Sequence, residues 1–350
     1  MNMIDLTNLE EIKKLDPKNV YGSTGMLADQ CNQVWNAAKQ TSRLPDSKAI
    51  KSIIICGMGG SAYGAHIAIP LLRDKLNVPL LLNDDYGLPA FVDSNSLVIL
   101  TSYSGTTEES LSAGKEALKR KAHIAGITSG GKLSEFLTSR NAPSIIFSPQ
   151  FNPSGQPRLG TGYIIVGTLA LLHRLKFVHI GDNDVKKAVG ELKQQSSHIT
   201  TQAMKIAKSL YETIPVIFAA EFLKGNAHIM RNQCNETAKS FSAYSELPEL
   251  NHHLMEGLKN PKNKKMTILF INSALYSDVL QRRIALTQDV VKQNKISSLV
   301  YETKGATAIS QMLNTLSFGG YLSLYLALLY GQDPSVIPWV DYFKKKLKQK

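Results

Sequence analysis

The stretch "SIIICGMGGSAYGA", residues 52–65, runs from branched apolar residues into a loop with glycines at positions 57, 59, 60 and 64. Its first half has strand composition and its second half opens a helical pattern, so a glycine turn joins a strand to a helix. Such a turn presents backbone N–H groups to an anion. One candidate anion is a dinucleotide pyrophosphate: "GMGGSA" satisfies G-x-G-x-x-A, and Asp84 and Asp85 follow the next apolar run, roughly where a ribose-binding carboxylate belongs. The other is a single phosphate group on a smaller ligand.

Working outward, "PLLLN" (79–83), "SLVILTSY" (96–103), "HIAGIT" (123–128) and "SIIFS" (144–148) are further runs of strand length, separated by helical stretches such as "TTEESLSAGKEALKRK" (106–121). Near-continuous apolar strands alternating with helices predict an α/β fold, a mainly parallel sheet covered on both faces. A second series follows a polar helical stretch around 184–210: "PVIFAAE" (215–221), "MTILFIN" (266–272) and "SSLVYET" (297–303), with helices at 277–295 and 312–329. It reads as a degenerate copy of the first without the glycine loop. The polar, glycine-bearing "FVHIGDND" (177–184) marks the junction. The expected organisation is two αβα sandwich domains, 1–180 with the phosphate loops and 181–350.

The loop after the third apolar run favours the smaller ligand. "TSYSGTTEES" (101–110) carries hydroxyls at Thr101, Ser102, Ser104, Thr106 and Thr107 immediately before a helix. Hydroxyls together with the free N–H groups of a helix N-terminus make a phosphate cradle, which a dinucleotide fold does not need. A capping box, with Thr106 or Thr107 as cap, is expected to use one or two of the five hydroxyls. Gly60 and Ser61 from one strand end and Ser102, Ser104 and Thr107 from the next then converge on one phosphomonoester, so a sugar phosphate is the expected ligand.

Composition sets outer limits. With 350 residues, 43% of them hydrophobic, the chain can bury a large core. Cys31, Cys56 and Cys234 are odd in number and widely spaced, which suits neither a disulfide framework nor a thiolate zinc site. A reducing, cytoplasmic setting is expected, since "MNMIDLTNLEEIKKLDP" has charges where a secretion signal has an apolar core. The apolar segment 312–331 is interrupted by Asn, Ser, Thr and paired Gly and reads as a buried helix, so no membrane is expected. The formal charge of +12 attracts anions of any kind. The dense basic runs, "NPKNKK" (260–265) and "FKKKLKQK" (343–350), carry no interleaved aromatics for base stacking, so no nucleic acid is expected.

The pair "GMGGSA" and "SYSGTTEES" resembles the sugar-isomerase (SIS) domain. Three further stretches, "GQPRLGTGY" (155–163), "NQCNETAKSFSAYSELPELNHH" (232–253) and "YLALLYGQDPSVIPWVDYFKKKL" (325–347), resemble the bifunctional phosphoglucose/phosphomannose isomerases over nearly the whole chain. Two departures stand out: Thr106 where the family commonly has Asn, and His253 where Asn is often found. The resemblance implies two SIS-type domains and the interconversion of glucose 6-phosphate, mannose 6-phosphate and fructose 6-phosphate through a metal-free cis-enediolate. No cofactor is expected. It further implies Glu236 as base, His252 in ring opening, Arg158 at the enediolate oxygens and Lys344 in the site. A homodimer is expected, with the site at the subunit interface and His252 delivered from the neighbouring chain.

Other readings stay open at this point. His252 with Glu256, and His253 with Glu256, have helical spacing for a metal site. A non-catalytic SIS module that senses a sugar phosphate needs the hydroxyl loops but not Glu236, Arg158 and His252 together. The remaining histidines, His66, His123, His173, His179, His198 and His228, show no pairing pattern, and Tyr321 with Tyr325 reads as packing.

Overall fold

The computed structural model describes residues 4–347 and 349. Residues 1–3, 348 and 350, which include the start of the N-terminal stretch and two lysines of the basic tail, lie outside the described residues.

Three helices come first: α1 (Leu9–Leu15), capped by the Asn8 side chain, α2 (Val20–Gly25) and α3 (Leu27–Ala38). Then follow β1 (Ser52–Cys56), α4 (Tyr63–Leu71), β2 (Leu80–Asn83), β3 (Ser96–Ser102), α5 (Glu108–Lys119), β4 (His123–Thr128), α6 (Gly131–Thr138) and β5 (Ser144–Ile146). The five strands form one parallel sheet of order β2-β1-β3-β4-β5. Alternate side chains of β1 fill opposite faces. Ile54 and Cys56 pack with Ala113 of α5 and Leu133 of α6, whereas Ile53 and Ile55 pack with residues of α3, α4 and the following helix α7 (Thr161–Arg174). Ile53, Ile54 and Ile55 are fully buried. Each contributes roughly 1.5–3 kcal/mol, which is why a run without alternation forms a central strand here.

The second half runs α8 (Asp182–Leu210), β6 (Ile214–Ala220), α9 (Lys224–Glu236), β7 (Ala243–Leu247), α10 (Leu254–Gly257), β8 (Met266–Asn272), α11 (Asp278–Gln293), β9 (Ser297–Glu302), α12 (Ala308–Leu329) and α13 (Pro338–Leu347). Its parallel sheet has the order β7-β6-β8-β9, so β6 and β8 occupy the places of β1 and β3. The expected repetition is topological, and the α/β expectation holds for both halves. Helix α12 is long and apolar enough to cross a membrane by length and composition, but it is buried between α8, α9 and β9, with Phe318 stacked on Tyr301. Tyr321 and Tyr325 are buried in its wall and stack at 6.0 Å.

The two halves meet along α4 and α9. At Gly225 of α9 a Cβ would lie 2.1 Å from the His66 carbonyl oxygen, so glycine lets the helices touch. One turn on, the His66 and His228 rings stack at 3.7 Å, a pairing that their separation by 162 positions hides in the sequence. Burial, then His66 and Arg231, push the His228 pKa down to about 3, so this contact is between neutral rings.

Candidate active site

The loops after β1 and β3 lie side by side because their strands are neighbours. Residues Gly59–Ala62 form a 3-10 turn, entered through Gly59 at φ +51°. A Cβ on Gly60 would stand 3.4 Å from the Arg158 Cα, so this glycine is where the loop meets the arginine's backbone. Ser61 is buried, and its Oγ accepts the Tyr103 N–H at 3.0 Å, which leaves the hydroxyl proton to donate elsewhere. Thr101 has a different use from its neighbours. Its hydroxyl is buried against the Cys56 and Ser61 carbonyls at 3.0 and 2.8 Å and braces the two loops.

The Ser102 and Thr107 hydroxyls pair at 2.7 Å, and those of Ser104 and Thr106 at 2.9 Å. Each pair spends one proton internally and keeps one for an outside acceptor. The expected capping box is absent. Thr107 is the N-cap residue of α5 by backbone conformation, but its side chain makes no capping bond because Ser102 holds it. Among the described residues the first-turn N–H groups of α5 therefore have no side-chain acceptor, and the positive end of the helix dipole faces the loop. Gly105, at φ +69°, is required beside this turn, since a Cβ would overlap the Gly130 carbonyl.

Glu236 is the last residue of α9. Burial pushes its carboxyl pKa up, and Arg158 and Lys344 pull the other way. Arg158 sits on the 3-10 turn Pro157–Leu159 and is buried. Its guanidinium donates to Gln156 Oε1 at 3.0 Å and to the Pro334 and Ser335 carbonyls at 2.9 and 2.8 Å, while Nε has no partner among the described residues. Burial lowers the Arg158 pKa, opposed first by Glu236. Lys344 is exposed on α13, close enough to Glu236 for its charge to act there.

Glu236, Arg158 and the charge of Lys344 thus come together from three distant segments. His252 does not join them within the chain. It is exposed at the end of the 3-10 turn Glu249–His252 and bonds to none of the three. The helical-spacing pair on this turn is His253 with Glu249, at 2.7 Å, and not either histidine with Glu256. Among the described residues no three His, Cys, Asp or Glu side chains converge on one point. Cys234 is fully buried, and burial pushes its thiol up to about 12, so it is an inert core residue.

Two residues escape sequence reasoning. Tyr63, on the first turn of α4, is buried, and its hydroxyl has no hydrogen-bond partner among the described residues. Burial raises its pKa, and the Glu236 charge adds to the shift. Lys239, three residues past Glu236, bonds to the turn that holds Arg158. Its place inside the "NETAK" motif is the only sequence signal for it.

Comparison with known proteins gives the family and the fold. The family described as bacterial phospho-glucose isomerase C-terminal SIS domain matches residues 199–347. A bifunctional phosphoglucose/phosphomannose isomerase of Caldicellulosiruptor bescii is 31% identical over 347 residues, covering 94% of this chain and 99% of that protein. One of the same name from Aquifex aeolicus is 29% identical over 307 residues, covering 87% and 92%. A solved structure described as hypothetical protein TT0462 from Thermus thermophilus superposes with TM-score 0.72 at 13% identity, covering 97% of this chain and 94% of that one, a likeness of fold.

Proposed function

The chain belongs to the bifunctional phosphoglucose/phosphomannose isomerase family, and on that premise we propose that it interconverts glucose 6-phosphate and mannose 6-phosphate with fructose 6-phosphate through a cis-enediolate. The observation that carries this reading is a half-buried carboxylate, Glu236, whose pKa burial pushes up, and a buried arginine, Arg158, whose charge acts on it. A carboxylate raised toward neutrality is a stronger base, and a fixed cation stabilises the oxyanion formed when that base removes a proton next to a carbonyl.

The geometry supports the following roles. The phosphate anchors on Gly60, Ser61, Ser102, Ser104, Thr107 and the N-terminus of α5, where unpaired donors and the dipole favour a dianion. Glu236 moves the proton between C1 and C2. Arg158 and Lys344 supply positive charge for the enediolate oxygens. The overall +12 raises the local concentration of an anionic substrate.

His252 opens the sugar ring from the partner subunit of a homodimer. Its exposure, and the exposed apolar side chains Trp339, Tyr342 and Phe343 of α13 with Phe241 nearby, support such an interface. Trp339 and Phe241 flank a groove of about 850 Å³ that also contains Lys239. The division into folding units at 1–180 and 181–350 belongs to the same reading.

The test is conversion of fructose 6-phosphate by the purified protein, with both aldoses quantified and a parallel sample in excess EDTA. Formation of glucose 6-phosphate and mannose 6-phosphate with and without EDTA is the expected result. Binding without turnover would favour the sensing module, and turnover abolished by EDTA would replace the metal-free route. For the shared site, mixing inactive Glu236→Gln and His252→Asn proteins restores activity through heterodimers with one intact site. No recovery after subunit exchange would return His252 to its own chain.

A further inference from the structure

Lys239 adopts left-handed backbone, φ +53°, a conformation that costs a residue with a side chain and persists only where its surroundings hold it. Its half-buried ammonium donates to two backbone carbonyls, Thr237 O at 3.1 Å on its own loop and Asp333 O on the turn after α12. Arg158 donates to the next two carbonyls of that turn, Pro334 O and Ser335 O. Three consecutive carbonyls are therefore held by two cations from two other segments. The Asp333 carboxylate closes the turn internally, accepting from Ser335 N and Oγ at 2.7 Å each. From here the chain enters α13, which carries Asp341 toward Arg158 and Lys344 toward Glu236.

We infer that Lys239 is a positioning residue: by holding the Asp333 carbonyl it fixes the turn against which Arg158 is set and from which α13 brings Lys344 to Glu236. The inference rests on the isomerase reading of the same site. Without the ammonium, Asp333 O loses its donor and the strained backbone at 239 loses the bond that offsets its cost. Lysine fits because a single ammonium can donate to two carbonyls from different segments at once.

The charges facing the ammonium are Arg158 from its 3-10 turn and Asp333 from the held turn, and the surrounding groove adds Glu212, Lys265 and the Tyr330 phenol. Burial and then Arg158 bring the lysine pKa down to about 8, with Asp333 opposing. The latch accordingly loses its charge as pH rises through that value. The unfolded chain keeps the same lysine protonated to about 10.4, so between these limits the native state gains stability from this group as pH rises. The neutral amine keeps two N–H groups but is a weaker donor than the ammonium, so the loosened latch appears as activity reduced above about pH 8 without a fall in Tm.

The experiment compares the full-length wild type, Lys239→Met and Lys239→Arg in fructose 6-phosphate conversion across the pH range, with hydrogen–deuterium exchange over residues 332–347. In Lys239→Met, kcat falls about 10- to 100-fold, the scale of a misplaced catalytic group, while KM stays within about threefold. Exchange in 332–347 accelerates in the same variant. Lys239→Arg restores most of kcat and moves the alkaline limb upward by about one pH unit or more, because arginine keeps its proton. Unchanged kcat and exchange in Lys239→Met would overturn the inference. So would a large rise in KM with unchanged exchange, which would put the lysine on the substrate instead of the turn. If the wild type turns over no sugar phosphate, the functional reading fails, and the exchange comparison alone still decides whether Lys239 holds the turn.

Discussion

The loops that follow β1 and β6 occupy the same place in their sheets and solve the same backbone problem with opposite chemistry. Both enter a 3-10 turn through a residue at positive φ, Gly59 at +51° and Glu221 at +42°, and both lead into a helix at the seam, α4 or α9. In the second half the Glu221 carboxylate reaches the start of α11, accepting from Ser277 N at 3.2 Å and Ser277 Oγ at 2.6 Å. Among the described residues of the first half no carboxylate takes that position: Thr107, the N-cap of the corresponding helix α5, bonds to the Ser102 hydroxyl, whereas Ser277, the N-cap of α11, bonds to the Glu221 carboxylate. An anion in the chain meets the N–H and hydroxyl of the α11 N-cap residue without losing translational freedom, whereas an anion from solution must bind. One cradle therefore serves stability and the other is left for a ligand.

The sharpest way to separate the halves is to remove the base that the second half contributes. Glu236→Gln should lower kcat by roughly 10²-fold or more while sugar phosphate still binds, as read by steady-state kinetics alongside calorimetric binding. The same variant tests the sign of the half-buried charge. Because the folded pKa is raised, ionisation of Glu236 disfavours the native state above the ordinary carboxylate range. Glu236→Gln should thus melt higher than wild type at neutral pH, an advantage that disappears as pH falls and the wild-type carboxyl is protonated.

A somewhat smaller effect is expected at the open cradle. Each hydrogen bond to the charged phosphate is worth about 1.5–3 kcal/mol, so Ser104→Ala with Thr107→Ala should raise KM by at least tenfold and leave Tm nearly unchanged. An unaltered KM in the double variant would move the phosphate to another loop. The smallest effect belongs to the filled cradle. Glu221→Gln keeps one acceptor but loses the charge at the α11 N-terminus, costing about 0.5–2 kcal/mol of stability with kcat and KM preserved. Loss of activity in that variant, or loss of stability in the Ser104 and Thr107 variant, would break the division of labour between the halves.

Parts of the architecture were hard to read locally for identifiable reasons. The strands β1, β3, β6 and β8 are legible because each is largely buried on both faces and so carries a mostly apolar run. The edge strand β7, "AYSEL", has no β-branched residue and is only partly buried; pairing with β6 makes it a strand. The helices α2 and α3 carry short or polar patterns that gain their order by packing on α12 and on α7 and α8, respectively. Thr107 reads as a helix cap in sequence, but a hydroxyl five residues earlier competes for its side chain.

By itself, the sequence determined the alternation of strands and helices, the two glycine- and hydroxyl-bearing loops, and the motifs containing Glu236, Arg158 and Lys344, because periodicity and turn chemistry are local properties. Folding in three dimensions alone set Glu221 against Ser277 and brought Lys239 and Arg158 to one turn. Those contacts join residues 56 to 177 positions apart, and they form where burial makes an unpaired polar group costly enough to select its partner.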